Sequence, residues 1–418
     1  MGQVGLNNLT FQEVAANGKS VQEMWLNGSQ IYSAGDLWYG VRFSSSSPDG
    51  VRTGNMAYHK TLPVQSQFRG CGMSNGSIVG YLKSDDWTKY ENNTNVDFNA
   101  VDIMVELPDA YYTVVEHGDY DWEIRISTYA IPGYTKFDKQ YVSAYEAYSD
   151  GTTLFSRKGQ TPTVNKHRDA FLKEARKNRN NHYAMYTYNI HKFITWCFVV
   201  EYATLNSQKN VNNVLTVEGY HQGGLGNGVT SGTKKVNGKD VWAFVPCGTT
   251  DSLFNGSGEV TYNYTNTDAE GAETQASTKA NRYRGIENPF GHVWKNCCDI
   301  IITGTTNKVY LTDNIENFGN DRSLFTDSGL TSFPTIEQWV KRINNNAAAD
   351  LFCQEGGGGG STTYFCDYYW TNANDYDRNL LLGASASSGS GAGLFYLSSG
   401  FGLGFASGHV GTRLVYIP

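Results

Sequence analysis

No stretch of this chain is apolar for long enough to cross a bilayer as a helix. The most apolar run, Phe193-Ile-Thr-Trp-Cys-Phe-Val-Val200, falls far short of the ~20 residues a span needs. Met1-Gly-Gln-Val-Gly-Leu-Asn lacks the basic start and apolar run of a secretory leader, so none is expected. Leu6 stands where a myristoylation signal needs Ser or Thr. Cysteine is sparse, odd in number at 7 and without CxxC spacing, which argues against a disulfide framework or a zinc site. Cys353 and Cys366 flank the glycines 356–360 and could pair across them, but buried free thiols are the favoured reading. Positive charge is in deficit: the net charge is -7, whereas phosphate binding needs clustered Lys and Arg, which argues against nucleic acid as a partner. No nucleophile elbow, HExxH or paired-acid signature is present. Asp119 and Asp121 fall on one solvated face of a strand.

The chain is instead rich in Gly (46), Tyr (28) and Phe (20), with only 9 Pro. Such a composition favours many short strands and loops. Asn27-Gly28 between two apolar arms signals a hairpin in a small module over 1–40. Residues 41–160 read as β-rich: Val101, Ile103, Val105 and Leu107 alternate, as do Trp122, Ile124 and Ile126. Turns are expected at Pro48-Asp-Gly50 and Ser74-Asn-Gly76. Residues 164–206 carry the helical signal in two segments, Phe171, Leu172 and Ala175 on the first, Ile194, Cys197, Phe198 and Tyr202 on the second. The basic run Lys166 to Lys177 reads as a solvated helix face, and lone His191 as a satisfied residue. Gly223-Gly-Leu-Gly-Asn-Gly228 lacks the Lys-Ser/Thr of a phosphate loop and reads as structural. Asn255 to Lys279 is an exposed polar excursion, and Phe333 to Arg342 suggests a short helix capped by Thr335.

The last fifty-odd residues stand apart. From Gly383 to Gly411 there is no Asp, Glu, Lys or Arg, and Phe395, Tyr396, Phe401, Phe405 and His409 are set among Gly, Ser and Ala. Rigid aromatics among small adaptable residues are the chemistry of a paratope. A linker would have no use for Leu394-Phe-Tyr-Leu397, nor end in the strand-like Arg413-Leu-Val-Tyr-Ile417.

Arg284-Gly-Ile-Glu-Asn-Pro-Phe-Gly-His-Val-Trp294, Leu382-Gly383, Ala392-Gly-Leu-Phe395 and Gly411-Thr-Arg-Leu-Val415 resemble the variable proteins of diversity-generating retroelements. Those carry a C-type-lectin fold of the formylglycine-generating-enzyme type. Gly291-His-Val-Trp294 is similar to their Gly-Asn-Val-Trp motif, with His292 in place of Asn. The first 160 residues, with Gly54-Asn-Met-Ala-Tyr-His-Lys-Thr-Leu-Pro63, resemble tail receptor-binding proteins of gut bacteriophages.

The resemblance implies an α+β chain: a module over 1–40 for tail attachment or oligomerisation, a β-rich domain over 41–160, and a C-type-lectin-like ligand-binding domain over 161–418 with a variable region at about 366–411. The 164–206 helices would pack on a sheet including 299–303 and 412–417. Displayed positions would be Tyr369, Asn372, Asp375, Asp377, Ala386, Ser387, Ser388, Ser390, Gly391, Tyr396, Ser398, Ser399, Phe401, Phe405, Ser407 and His409. Tyr369, Tyr396, Phe401, Phe405 and His409 would be the anchors, unless Phe401 and Phe405 are core. Gly291, Trp294, Gly383, Ala392, Gly393, Gly411, Arg413 and Leu414 would be scaffold, with Arg413 held by carboxylate or carbonyl groups.

The implied function is adhesion at a virion tail, or alternatively at a bacterial surface. Its partners would be a bacterial surface protein or glycan and other tail proteins, within a homotrimer, without catalysis, cofactor, metal or membrane insertion. The rivals are a purely structural tail protein and an oxidase using Cys353 or Cys366. Glu287-Asn288-Pro289 has the wrong order for the calcium-binding element of lectins, so calcium-independent binding is expected.

Overall fold

The computed structural model describes residues 37–418 apart from 331, 332, 336 and 373, together with four short strands before residue 37. Two of these, Glu23–Leu26 and Ser29–Ser33, pair antiparallel as the arms of the expected hairpin; its turn residues, Asn27 and Gly28, lie outside the described residues. The fold is β-rich α+β. Among the described residues no helix is long and apolar enough to cross a membrane.

An antiparallel seven-stranded sheet runs in the order Tyr183–Met185, Leu414–Tyr416, Gln140–Ser143, Asp102–Leu107, Arg69–Ser74, Ser77–Lys83, Asp86–Tyr90. The Asn75-Gly76 turn closes one of its hairpins with both residues at positive φ, +47° and +82°, as a two-residue turn requires. A five-stranded sheet runs Thr135–Phe137, Ala110–Gly118, Asp121–Ser127, Tyr39–Phe43, Val51–Gly54, with Trp122, Ile124 and Ile126 inward as expected.

The helix Tyr188–Tyr202 is buried nearly all round, not along one stripe. Its apolar residues cover every side, and such a helix belongs in a core. Phe193 stacks on Phe137 (3.8 Å between ring centroids) and Trp196 meets Trp122 edge-on. Thr187 caps the helix by accepting from Ile190 N, and Asp299 accepts from the N–H groups of Tyr188 and Asn189. His191 is buried and satisfied, its Nε2 2.7 Å from the Leu394 carbonyl oxygen. The shorter helix, Arg168–Arg176, is separated from it by the strand Tyr183–Met185.

Several expectations are corrected. The boundary near residue 160 is not a break, because Leu414–Tyr416 and Tyr183–Met185 complete a sheet otherwise built from residues 69–143 and one apolar core runs from Tyr39 to Val415. Ile300–Ile302 belongs to a separate three-stranded sheet, not to that of Leu414–Tyr416. Arg168 is fully buried, donating to the carbonyls of Ile300, Cys298 and Gly319; only part of the basic run faces solvent. The expected helix over 333–342 is the strand Glu337–Ile343, since pairing on both edges overrides a weak local preference. The polar excursion is a long hairpin, Gly258–Thr267 with Glu273–Tyr283. The glycine loop 223–228 is structural as read: a Cβ at Gly226 would lie 2.2 Å from the Glu259 carboxylate.

A second seven-stranded sheet runs Cys353–Gly356, Glu337–Ile343, Tyr368–Trp370, Leu397–Ser398, Leu381–Leu382, Trp294–Asn296, Val410–Gly411. Buried charge ties it to the first. Glu146, just beyond Gln140–Ser143, accepts from His292 Nδ1 and pairs with Lys295 Nζ at 3.0 Å. Lys295 also donates to the Gly291 carbonyl at 2.7 Å. Burial pushes the Glu146 carboxyl up, but His292 and Lys295, with Arg413 behind them, outweigh it and hold the group at about 2. Burial acts on Lys295 in the opposite sense to its pairing, lowering the ammonium to about 8; at neutral pH both partners stay charged.

A carboxyl whose folded pKa lies below its ordinary 4.5 contributes stability that is full above pH 4.5 and is lost as pH falls toward 2, up to about 3 kcal/mol here. Glu146→Gln is therefore expected to cost about 3–5 kcal/mol at pH 7 by stranding Lys295. The gap to the parent should narrow below pH 4.5. Urea unfolding of both proteins from pH 7 to pH 2 measures this.

Candidate functional site

The second sheet sets the site through its register. Glu337 pairs with Trp370, Gln338 with Tyr369, and Trp339 with Tyr368. Opposed residues share a face and successive residues alternate, so Glu337, Trp339, Tyr368 and Trp370 lie together while Tyr369 lies behind. Tyr369 is fully buried, its ring meeting Phe333; it is a core residue, not a displayed anchor. On the next strand Leu397 pairs with Tyr369 and Ser398 with Trp370, which sends Leu397 to the core and Tyr396 and Ser398 to the front. Trp294 alternates in the same way with buried Lys295.

These front residues line an open cavity of about 510 Å³, in the size range of small-molecule sites. Its aromatic wall is built of two groups of touching rings. Trp294 meets Tyr396 edge-on at 4.8 Å, Tyr396 meets Tyr368 at 5.9 Å, and Tyr368 meets Trp339 at 5.4 Å. Trp370 lies 4.9 Å from Phe401, which stacks on Phe405 at 3.7 Å. Ser387, Ser388, Ser390 and Gly391 form the polar side, and His409 closes it. His409 packs on Trp242 at 5.7 Å, and burial lowers its pKa. Gly400 makes room for the indole of Trp370, whose ring atoms would lie 2.0 Å from an added Cβ.

The expected display positions divide. Ser387, Ser388, Ser390, Gly391, Tyr396, Ser398, Phe401 and His409 line the cavity. Phe405 backs Phe401, and the Ser407 hydroxyl lies 3.1 Å from His409 Nδ1. Phe401 and Phe405 are half-buried, neither free nor enclosed. Ala386 and Ser399 are buried like Tyr369, with Ser399 donating to the Thr371 hydroxyl. Asn372 and Asp375 are exposed away from the cavity, and Asp377 pairs with Arg322. Sequence reading missed Glu337, Trp339, Tyr368 and Trp370, and Trp294 is wall as well as frame. The signal was the alternation in Glu337-Gln-Trp339 and Tyr368-Tyr-Trp370.

The scaffold residues sit beneath. Gly291 and Gly383 adopt φ of +70° and +77°, where a side chain strains the backbone. A Cβ at Gly393 would lie 2.0 Å from the Asp367 carboxylate, which accepts from Phe395 N at 2.8 Å. Burial pushes that carboxyl well above its ordinary value. Ala392, Gly411 and Leu414 are buried. Arg413 is held by carbonyls, those of Ser143, Glu287 and Asn288.

Among the described residues no group of three or more His, Cys, Asp and Glu is placed to hold a metal ion. All seven cysteines are free and buried. Burial pushes Cys353 up to about 12 and raises Cys366 as well, against the lowered values of reactive thiols. No protein-family model matches the chain, and no curated protein matches it at a significant level.

Tyr369→Ala is expected to cost about 3–5 kcal/mol by opening a core void. Trp339→Ala, half-exposed on the cavity wall, should cost less than about 1.5 kcal/mol. Denaturant unfolding of the two variants tests which face each ring occupies; equal losses would contradict the register.

Proposed function

We propose that this chain is a receptor-binding protein of a phage tail, presenting the cavity on its second sheet to a ligand on the bacterial surface. The observation that carries the reading is the composition of that cavity. Rigid rings and small hydroxyl residues, seven of them among the positions expected to be displayed, surround an open volume of ligand size on a sheet whose other face is core. Aromatic anchors supply most of the energy in such interfaces, and serines supply adaptable hydrogen bonds. Diversification by a retroelement would act on the front face alone, sparing Tyr369, Leu397 and the buried Glu146 network. The role proposed is binding, not catalysis, within a homotrimer at the tail tip.

The test is binding of the fluorescently labelled chain to a panel of intact bacterial isolates by flow cytometry. Saturable binding to some isolates is expected, falling at least about tenfold with Trp370→Ala or with Ser390→Trp, which fills the cavity, while the thermal midpoint moves by no more than about 4 °C. Unchanged binding by folded variants would favour a structural tail protein. A near-copy of the 3′ coding end, differing mainly at adenines and beside a reverse-transcriptase gene, is expected in the flanking DNA.

A further inference from the structure

Within the reading that this cavity is the ligand site, the charge on its walls narrows the ligand. Among the described residues the only carboxylate, Lys or Arg lining the cavity is Glu337; the other lining residues are aromatic rings, serines, a glycine and His409, whose pKa burial lowers. Register places Glu337 beside Trp370 and on the same face as Trp339 and Tyr368. Its carboxylate is exposed to the cavity side and, among the described residues, pairs with no Lys, Arg or His, whereas Glu355 pairs with Lys341 and Asp377 with Arg322. It is close enough to Tyr396 to add to the effect of burial in raising that hydroxyl's pKa.

Ring faces carry negative quadrupole charge and attract cations, most of all cations with weak hydration. An unpaired carboxylate at the rim of a ring-lined cavity adds attraction of the same sign. An anionic ligand would meet Glu337 with no compensating cation. A neutral sugar could stack on the rings, but the carboxylate's charge would add little to its binding.

We propose that the cavity binds an alkylammonium group, enclosed by Trp339, Tyr368 and Trp370 and drawn in by Glu337. A choline headgroup and a methylated lysine side chain both present this chemistry. The volume of about 510 Å³ leaves room for part of the molecule that bears the group.

The experiment titrates the full chain with choline chloride, with its neutral isostere 3,3-dimethylbutan-1-ol, with trimethyllysine, with lysine and with N-acetylglucosamine. Binding is read by calorimetry and by tryptophan fluorescence, since Trp294, Trp339 and Trp370 line the cavity. Choline is expected to bind about tenfold more tightly than the neutral alcohol. Glu337→Gln should reduce that preference at least threefold without altering the thermal midpoint, because the side chain is exposed. Trp370→Leu, which keeps apolar bulk and removes the ring, should weaken choline more than the alcohol; Trp339→Leu serves as a second such variant at a half-exposed position. The order of choline, trimethyllysine and lysine separates a headgroup from a side-chain source. Equal affinity for choline and the alcohol, or binding of the sugar without choline, overturns the proposal. With cell binding still lost in Trp370→Ala, that result would leave the display role intact. Cell binding indifferent to the cavity variants would sink the display role, whatever choline does.

Discussion

A carboxylate that stays ionised in a protein core must be answered by positive charge and hydrogen bonds, or it takes up a proton instead. Glu146 is such a group, and the two large sheets depend on how it is answered. It follows the Gln140–Ser143 strand of the first sheet; its partners His292 and Lys295 belong to the run that enters the second. Arg413, just before the last strand, reaches the carbonyls of Ser143, Glu287 and Asn288. Three segments far apart in sequence are thereby fixed to one another. Because Lys295 must point inward to reach Glu146, its neighbour Trp294 points outward, and the cavity gains a wall from an electrostatic requirement beneath it.

The central helix supports the same site from below. His191 meets the Leu394 carbonyl, and Trp196 packs edge-on against Phe395, so the segment leading to Tyr396 is held from behind by a rigid element. Sites whose side chains are locked by packing lose less entropy on binding. The serine-rich turn at 387–390 contributes adaptable groups beside this fixed wall.

Much of this was legible in the sequence. Alternation revealed the strands around Ile103 and Ile124, Asn75-Gly76 marked its turn, and the charge-free C-terminal stretch marked the region that lines the cavity. What was hidden required knowledge of partners. Whether Tyr368 or Tyr369 faces out depends on the register against Glu337–Ile343, and that strand's own sequence is short enough to read as a helix. Arg168 looks like any surface base until the carbonyls of Ile300, Cys298 and Gly319 are placed around it. The pairing of Tyr141 with Tyr416 and of Val142 with Val415 crosses most of the chain, and local periodicity carries no trace of it.

The alternation in Tyr368–Trp370 and Leu397–Ser398 also sets which kinds of genetic change the cavity can absorb. Exchanging one front residue for another leaves Tyr369 and Leu397 where they are, so the cavity wall can change composition at little cost to folding. Adding or deleting one codon within either strand exchanges front for back along the rest of that strand. Tyr369 would then be turned toward solvent and an indole driven into the core. Residue type on the front face can change without disturbing the core, whereas the number of residues within these strands cannot.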